Sequence, residues 1–435
     1  MSDVTKPVIL DETGKEIAQA ISRVADAVKG TGGIVYGFHI DGGESDPSEK
    51  VTYLRDAIGM TPAKMNYTSG VFDYGSWEDA FFMPRPCMLK SDGTVDYYLN
   101  PNDYTKKEGG AASDVANTSY NGNAMMEWGQ NGKKIWYKVV PSGDGKSASI
   151  YIADHKEDEG YHDYPFHNCN GQSVAHFYTP IYNGSVISSK MRSLSGQQVS
   201  KTLAGTAEIT AAKANNPGAS EMWNIECLAD RILINFLLIL MGKSTDTQTV
   251  FGQGLNTSGT EAINDSFRTG VHNTKGLFYG TNSGAAATYT NAVKVFGMEN
   301  YYGFQWRRTN GYILASGVQK VKLTYGQEDG SGVDGYNTDG ANYVSLGITP
   351  AGTSGGYIDE MQFNDKGMFP KNAGGDSTHD YCDGLWFNNG ISAFALFGGA
   401  SSDGALVGAF SCALYFAVSY ANWPIGAAVS CKPLA

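Results

Sequence analysis

The sequence predicts an α+β fold carrying long loop insertions, and three observations predict it. One strongly apolar helical stretch, Trp223 to Leu240, stands among many short segments of alternating or β-branched character. Glycine is abundant, at 55 of 435 residues, beside an aromatic content of 12%. Tight turns therefore join segments that still carry large side chains for a core. The strand–helix–strand alternation of a wound parallel sheet is missing.

Composition bounds the function. A formal net charge of −12 excludes the basic footprint of nucleic-acid recognition and gives no affinity for anionic lipid. The six cysteines are scattered without a CxxC, so neither a disulfide scaffold nor a zinc knuckle is expected. Cys382 with Cys412 or Cys431 could be neighbours in space. The apolar run Ile232 to Met241 is too short to span a bilayer. The opening MSDVTKPVILDETG lacks the apolar centre of a signal peptide, so synthesis in the cytoplasm is expected.

In chain order, Thr13 and Glu16 have capping-box spacing, and Ile17, Ile21, Val24 and Val28 then form a narrow heptad seam. That short N-terminal helix either packs on its own domain or self-associates, a trimer being the first choice. Residues 1–52 are read as an attachment and oligomerisation segment, with GGIVYGFHIDGGESDPSEK as a glycine-rich linker. Residues 53–435 form the large domain, and VTYLRDAIGM suggests a short helix at its start. Lys134 to Val140 and Ser147 to Ile152, with Ser142-Gly143-Asp144-Gly145 between them, predict a hairpin. Strands are also expected near Met125 to Trp128, after Ser173, over Gln319 to Tyr325 and over Tyr343 to Gly347. The clearest helix starts near Ser220 and ends at Gly242.

Chemical motifs are sparse. His155, His162 and His167 stand among acidic residues without metal-ligand spacing. The loop GVDGYNTDG from Gly332 has oxygen ligands but no EF-hand register. No metal and no cofactor is expected. No GxSxG, HExxH or P-loop occurs, and Cys412 sits among apolar neighbours as a packed thiol. Arg307-Arg308 either clamp a carboxylate ligand or lock Asp and Glu inside the fold. No catalytic residue is expected.

The last stretch is distinctive. From Asp383 to Cys431 there is no Lys, Arg, Glu, Gln, Met, Thr or His, and the only charges are Asp383 and Asp403. Alternation at Leu414, Phe416, Val418 and Tyr420 reads as short strands and tight turns near a core. Trp386, Trp423, Gly398, Gly399 and Gly426 look like fixed points around an exchangeable set. A buried terminal sheet and a displayed binding surface both remain open.

MRSLSG, the helix ECLADRILINFLLILMG, the segment VFGMENYYGFQWRRTNGYI, the Gly398-Gly399 turn and the terminal IGAAVSC resemble the C-type-lectin-like fold. The branch they resemble is shared by formylglycine-generating-type domains and the variable proteins of diversity-generating retroelements. Gly-Ala-Ala at 426–428 stands where that branch usually reads GFR. The Tyr-rich middle region also resembles phage and prophage tail-fibre receptor-binding proteins. The lectin signatures EPN, QPD and WND are absent, so calcium-dependent sugar binding is not implied.

That resemblance implies a hypervariable region over about residues 386–422, diversified through codons that cannot yield Lys, Glu, Gln, Met or Trp. The implied ligand-facing residues are Phe387, Asn388, Asn389, Ile391, Ser392, Ser401, Ser402, Asp403, Leu406, Ser411, Tyr415, Phe416, Ser419 and Tyr420. Tyr, Phe, Asn and Ser are also what an adaptable, low-entropy paratope uses. The expected function is receptor binding for host attachment, on a virion tail, to a bacterial surface protein or glycan. Alternatives are a formylglycine-generating-type enzyme using Cys412 and Cys431, and a structural tail or baseplate protein.

Overall fold

A computed structural model describes residues 32–434. The expected N-terminal helix lies outside the described residues.

The body is α+β, built mainly from antiparallel sheet with few helices. A four-stranded sheet runs in the order Val51–Arg55, Val35–Ile40, Ala148–Ala153, Trp136–Pro141. The predicted hairpin is there, with Ala148 opposite Pro141 and Ala153 opposite Trp136. The stretch expected to be a linker instead supplies the central strand Val35–Ile40, because Val35, Phe38 and Ile40 are buried. Val51–Arg55 is likewise strand, not helix; Val51 and Tyr53 turn inward with Thr52 exposed between them, a period of two.

A seven-stranded sheet orders Trp223–Ile225, Val429–Cys431, Phe177–Pro180, Gly122–Trp128, Arg85–Lys90, Val95–Asn100 and Asp103–Lys107. The C-terminal strand is thus interior, pairing antiparallel with both neighbours. The third large sheet holds ten strands, centred on Trp306–Ala315, which pairs with Ala393–Phe397, Val318–Val321 and, in parallel, Ile425–Gly426.

Between these layers lies the Leu228–Gly242 helix, buried at every residue from Leu228 to Met241. A helix apolar nearly all round must be interior. It begins at Leu228 and not near Ser220, because Trp223–Ile225 is taken up in pairing with Val429–Cys431. Its polar residues each find an interior use. Asp230 pairs with Lys432 at 2.7 Å, and Asn235 accepts the Tyr301 hydroxyl at 2.9 Å. The Arg231 guanidinium lies against the rings of Tyr301 and Phe397, 4.3 and 5.0 Å from their centroids.

Arg307 and Arg308 lock carboxylates inside the fold. Arg307 meets Glu226 at 3.2 Å and donates to the Glu299 carbonyl at 2.8 Å. Arg308 meets Glu208 at 2.6 Å with both side chains wholly buried. Glu208 comes from a helix that the sequence pattern does not announce, Gly205–Lys213. Its weak amphipathicity leaves no stripe to find, and packing decides it.

Candidate functional site

Three short segments near the C-terminus meet over the ten-stranded sheet. Gly384–Phe387 pairs in parallel with Cys412–Leu414, setting Trp386 beside Ala413. Ile425–Gly426 runs in parallel beside Trp306 and Arg307. Trp306 and Trp386 therefore meet edge to face, centroids 5.2 Å apart at 84°. Beneath them Leu396, Ala400, Ala413 and Ile425 form a small apolar floor.

Above this floor opens a cleft of about 160 Å³, lined by Trp306, Trp386, Asp403, Ala413, Phe416, Tyr420, Asn422, Pro424 and Ile425. Phe416 and Tyr420 stack at 4.1 Å and 10°, and Tyr415 meets Phe416 edge-on at 4.9 Å. Such offset and edge contacts stabilise rings that are otherwise open to water.

Backbone contacts hold parts of these loops. Gly205 N–H donates to the Val418 carbonyl at 2.7 Å, Trp306 N–H to Pro424 at 2.9 Å and Thr202 N–H to Asn422 at 3.3 Å. The buried Arg308 guanidinium donates to the Tyr420 carbonyl from below. In the neighbouring turn, Asn388 N–H donates to Leu414 at 2.9 Å. Gly404 N–H likewise donates to Asn256 at 2.7 Å. A loop pinned through its main chain keeps its course when its side chains change.

The residues singled out from sequence divide by exposure. Asn389, Ile391, Ser392, Ser402, Tyr415, Ser419 and Tyr420 are exposed, while Phe387, Asn388, Asp403, Leu406 and Phe416 are half-buried. Two depart from the ligand-facing expectation: Ser401 and Ser411 are 0% exposed. Their hydroxyls are used internally, Ser401 donating to Asn264 Oδ1 at 2.9 Å and Ser411 to the Leu406 carbonyl at 2.6 Å. Burying a hydroxyl requires such a partner, and these partners hold the turn between them.

Only Asp403, Phe416 and Tyr420 of that set line the cleft. Trp386, expected as scaffold, is also a cleft wall. Trp306, Asn422, Pro424 and Ile425 do not stand out in the sequence as contact residues. The aromatic stretch GFQW is the signal for Trp306; nothing in the sequence brings it to Trp386. Gly399, at φ 76°, is a true scaffold point, since a Cβ there would come within 2.2 Å of Val407.

Asp403 carries the charge of the cleft. Burial pushes its carboxyl above the ordinary range, opposed by hydrogen bonds from Ala400 N–H, Trp306 and Ser402.

Other candidates are internally satisfied. A cleft of about 210 Å³ involves Lys50, Lys146, Asp359, Glu360 and Tyr381. Its lysines are already paired, Lys50 with Asp380 at 3.1 Å and Lys146 with Glu360 at 3.0 Å. His155 bonds Asp154 and His167 bonds Asp163, each at 2.9 Å, and His162 stacks on Tyr164. In the loop from Gly332, Asn337 and Asp339 accept from the backbone of Gly340 and Ala341.

The thiols stand apart. Cys412 and Cys431 are both wholly buried, in the ten-stranded and the seven-stranded sheet respectively. Burial pushes both thiols up, away from the thiolate a nucleophile needs.

No protein-family model and no curated protein sequence matches the chain. Among solved structures the chain is similar to one titled "Major Tropism Determinant P3c Variant". The identity is 13%, over 80% of this chain and 72% of that chain, with a TM-score of 0.25. A likeness of that size leaves fold and function to be argued from this chain's own residues.

Proposed function

We propose that this protein is a receptor-binding protein that displays a variable, aromatic-rich surface on a C-type-lectin-like domain. It works by reversible adhesion to a bacterial surface protein or glycan, as part of a phage or prophage tail. The segment ahead of the Val35–Ile40 strand attaches and oligomerises it, with a trimer favoured, and the remainder of the chain carries the binding face. Several copies would convert weak contacts into avidity.

One observation carries this reading. Over about residues 386–422 the chain exposes Ile391, Tyr415 and Tyr420, at 36, 39 and 37%, on loops whose course is set by backbone bonds. Neighbouring aromatic side chains held open on a rigid frame, as Tyr415, Phe416 and Tyr420 are, suit a binding surface. Composition agrees, since the stretch lacks four of the five residue types that the implied diversified codons cannot encode, and the fifth, Trp, stands at its two ends as Trp386 and Trp423. The enzyme alternative has little to stand on, because it needs a solvent-reachable low-pKa cysteine with a partner. Both candidate thiols are buried in different sheets.

The test is adhesion of the full chain to a panel of bacterial cells, with Tyr415, Phe416 and Tyr420 together replaced by Ser. Binding should fall at least tenfold while the circular dichroism spectrum and melting temperature stay within a few degrees. Undiminished binding by the triple variant would remove this face as the adhesive surface.

A further inference from the structure

We infer that the cleft between Trp306, Trp386, Phe416 and Tyr420 accepts a guanidinium group, the arginine side chain of a protein partner, with Asp403 as its counter-charge. The inference rests on the reading of this face as a ligand-binding surface and names the chemistry it selects.

The cleft is small. At about 160 Å³, and with each water taking roughly 30 Å³, it holds one headgroup. Pockets that enclose a whole small molecule run to roughly 300 Å³ and above.

Its walls favour a cation. Four aromatic side chains line the cleft, two meeting at 84° and two lying nearly parallel at 10°. Ring faces carry negative potential and attract a cation placed over them.

Charge decides between ligand classes. Among the described residues, Asp403 is the only charged one lining the cleft, and no Lys, Arg or His occurs between Asp383 and Cys431. Asp403 Oδ2 accepts from Ala400 N–H at 2.9 Å and Oδ1 from the Ser402 hydroxyl at 3.3 Å. These donors, and the Trp306 side chain that also bonds the carboxyl, are all neutral, so none of them brings a charge to offset a carboxylate. The nearby guanidinium of Arg308 is not available. It is buried and engaged by Glu208 and by the carbonyls of Leu203 and Tyr420. A neutral sugar would gain from the rings but not from Asp403; a cation gains from both. Among cations the guanidinium fits best. It is planar, more weakly hydrated than an ammonium, stacks on aromatic faces and presents several N–H donors to a carboxylate.

The experiment follows the indole N–H resonances of Trp306 and Trp386 in the folded full chain. N-acetylarginine amide, its uncharged isostere N-acetylcitrulline amide and methyl glucoside are the probes. Saturable shifts are expected with the arginine compound alone. Asp403→Asn should weaken that binding at least tenfold. Phe416→Leu, on the open wall and away from the Asp403 turn, should weaken it severalfold. Equal binding of the citrulline compound, or shifts with the glucoside alone, would overturn the assignment.

A parallel arm separates this inference from the adhesive function. Cell adhesion with no indole shift and no competition by N-acetylarginine amide overturns the guanidinium assignment and leaves adhesion standing. Arginine-specific shifts in a chain that adheres to no cell support the assignment and remove the adhesive reading.

Discussion

The buried frame beneath the C-terminal loops and the loops themselves use opposite chemistry. Below lie Arg307 with Glu226 and Arg308 with Glu208, fully enclosed ion pairs that also bond backbone carbonyls. Above, Tyr415, Ser419, Tyr420 and Ile391 stand in solvent, and backbone bonds set the path of the loops. Enclosed charge pairs and exposed side chains are thus kept in different layers. Buried polar contacts hold the frame, and on the proposed reading the surface above it is the part that varies. Three bonds illustrate the division: Gly205 to Val418, Trp306 to Pro424 and Thr202 to Asn422 all run through main-chain atoms.

The sharpest way to break this contrast is to remove a frame charge. Arg307→Met should destabilise by about 3–5 kcal/mol, because it strands the buried Glu226 carboxylate. Chemical denaturation measures it, and a cost comparable to a surface substitution would dissolve the distinction.

A smaller effect with a pH signature is expected at Asp163, which follows the His162 bridge to Tyr137 of the four-stranded sheet. Burial raises this carboxyl, but hydrogen bonds from His167 and Ser173 and the charge of Lys134 outweigh it and bring it down to about 2. A carboxylate whose folded pKa lies below its unfolded value adds stability above about pH 4 and loses it as pH falls through 2. Asp163→Asn should therefore cost about 2 kcal/mol at neutral pH, with the gap to the parent chain closing between about pH 4 and 2. Melting curves across that range would show it.

Next come the two inward-facing serines. Ser411→Val should cost about 1–3 kcal/mol, since the Leu406 carbonyl loses its donor in a buried setting. Ser401→Ala, which releases Asn264, should cost about 1 kcal/mol. The smallest effects belong to the exposed loops. Ser419→Ala and Ile391→Ala should each stay within about 0.5 kcal/mol of the parent. Urea titrations of the four variants sharpen the boundary between frame and face, and a large loss at Ser419 or Ile391 would move it.

Several elements are legible in the amino-acid sequence alone. The Lys134–Ile152 hairpin is readable from alternation and its turn residues, and the Leu228–Gly242 helix from its apolar run. The fixed turn at Gly398-Gly399 stands out by its glycines. Internal carboxylate pairing is one of the two uses that the Arg307-Arg308 sequence suggests, and burial selects it. Elsewhere periodicity is too short to decide. Val51–Arg55 spells a helix as readily as a strand, and Trp223–Ile225 joins the helical pattern until Val429–Cys431 claims it. The Gly205–Lys213 helix has no clear stripe, and its role emerges only through the Glu208–Arg308 contact.

The amino-acid sequence by itself determined the α+β class, the main helix and the charge-poor, aromatic-rich character of residues 383–431. Those are properties of local pattern and composition, which a linear chain carries openly. The tertiary structure alone decided that Trp306 meets Trp386, eighty residues on, and that Asp403, Phe416 and Tyr420 close one cleft with them. It also decided that Ser401 and Ser411 turn inward while Ser402 and Ser419 turn out. Neighbouring serines are chemically identical in sequence; which hydroxyl finds a buried partner depends on strand pairings made across hundreds of residues.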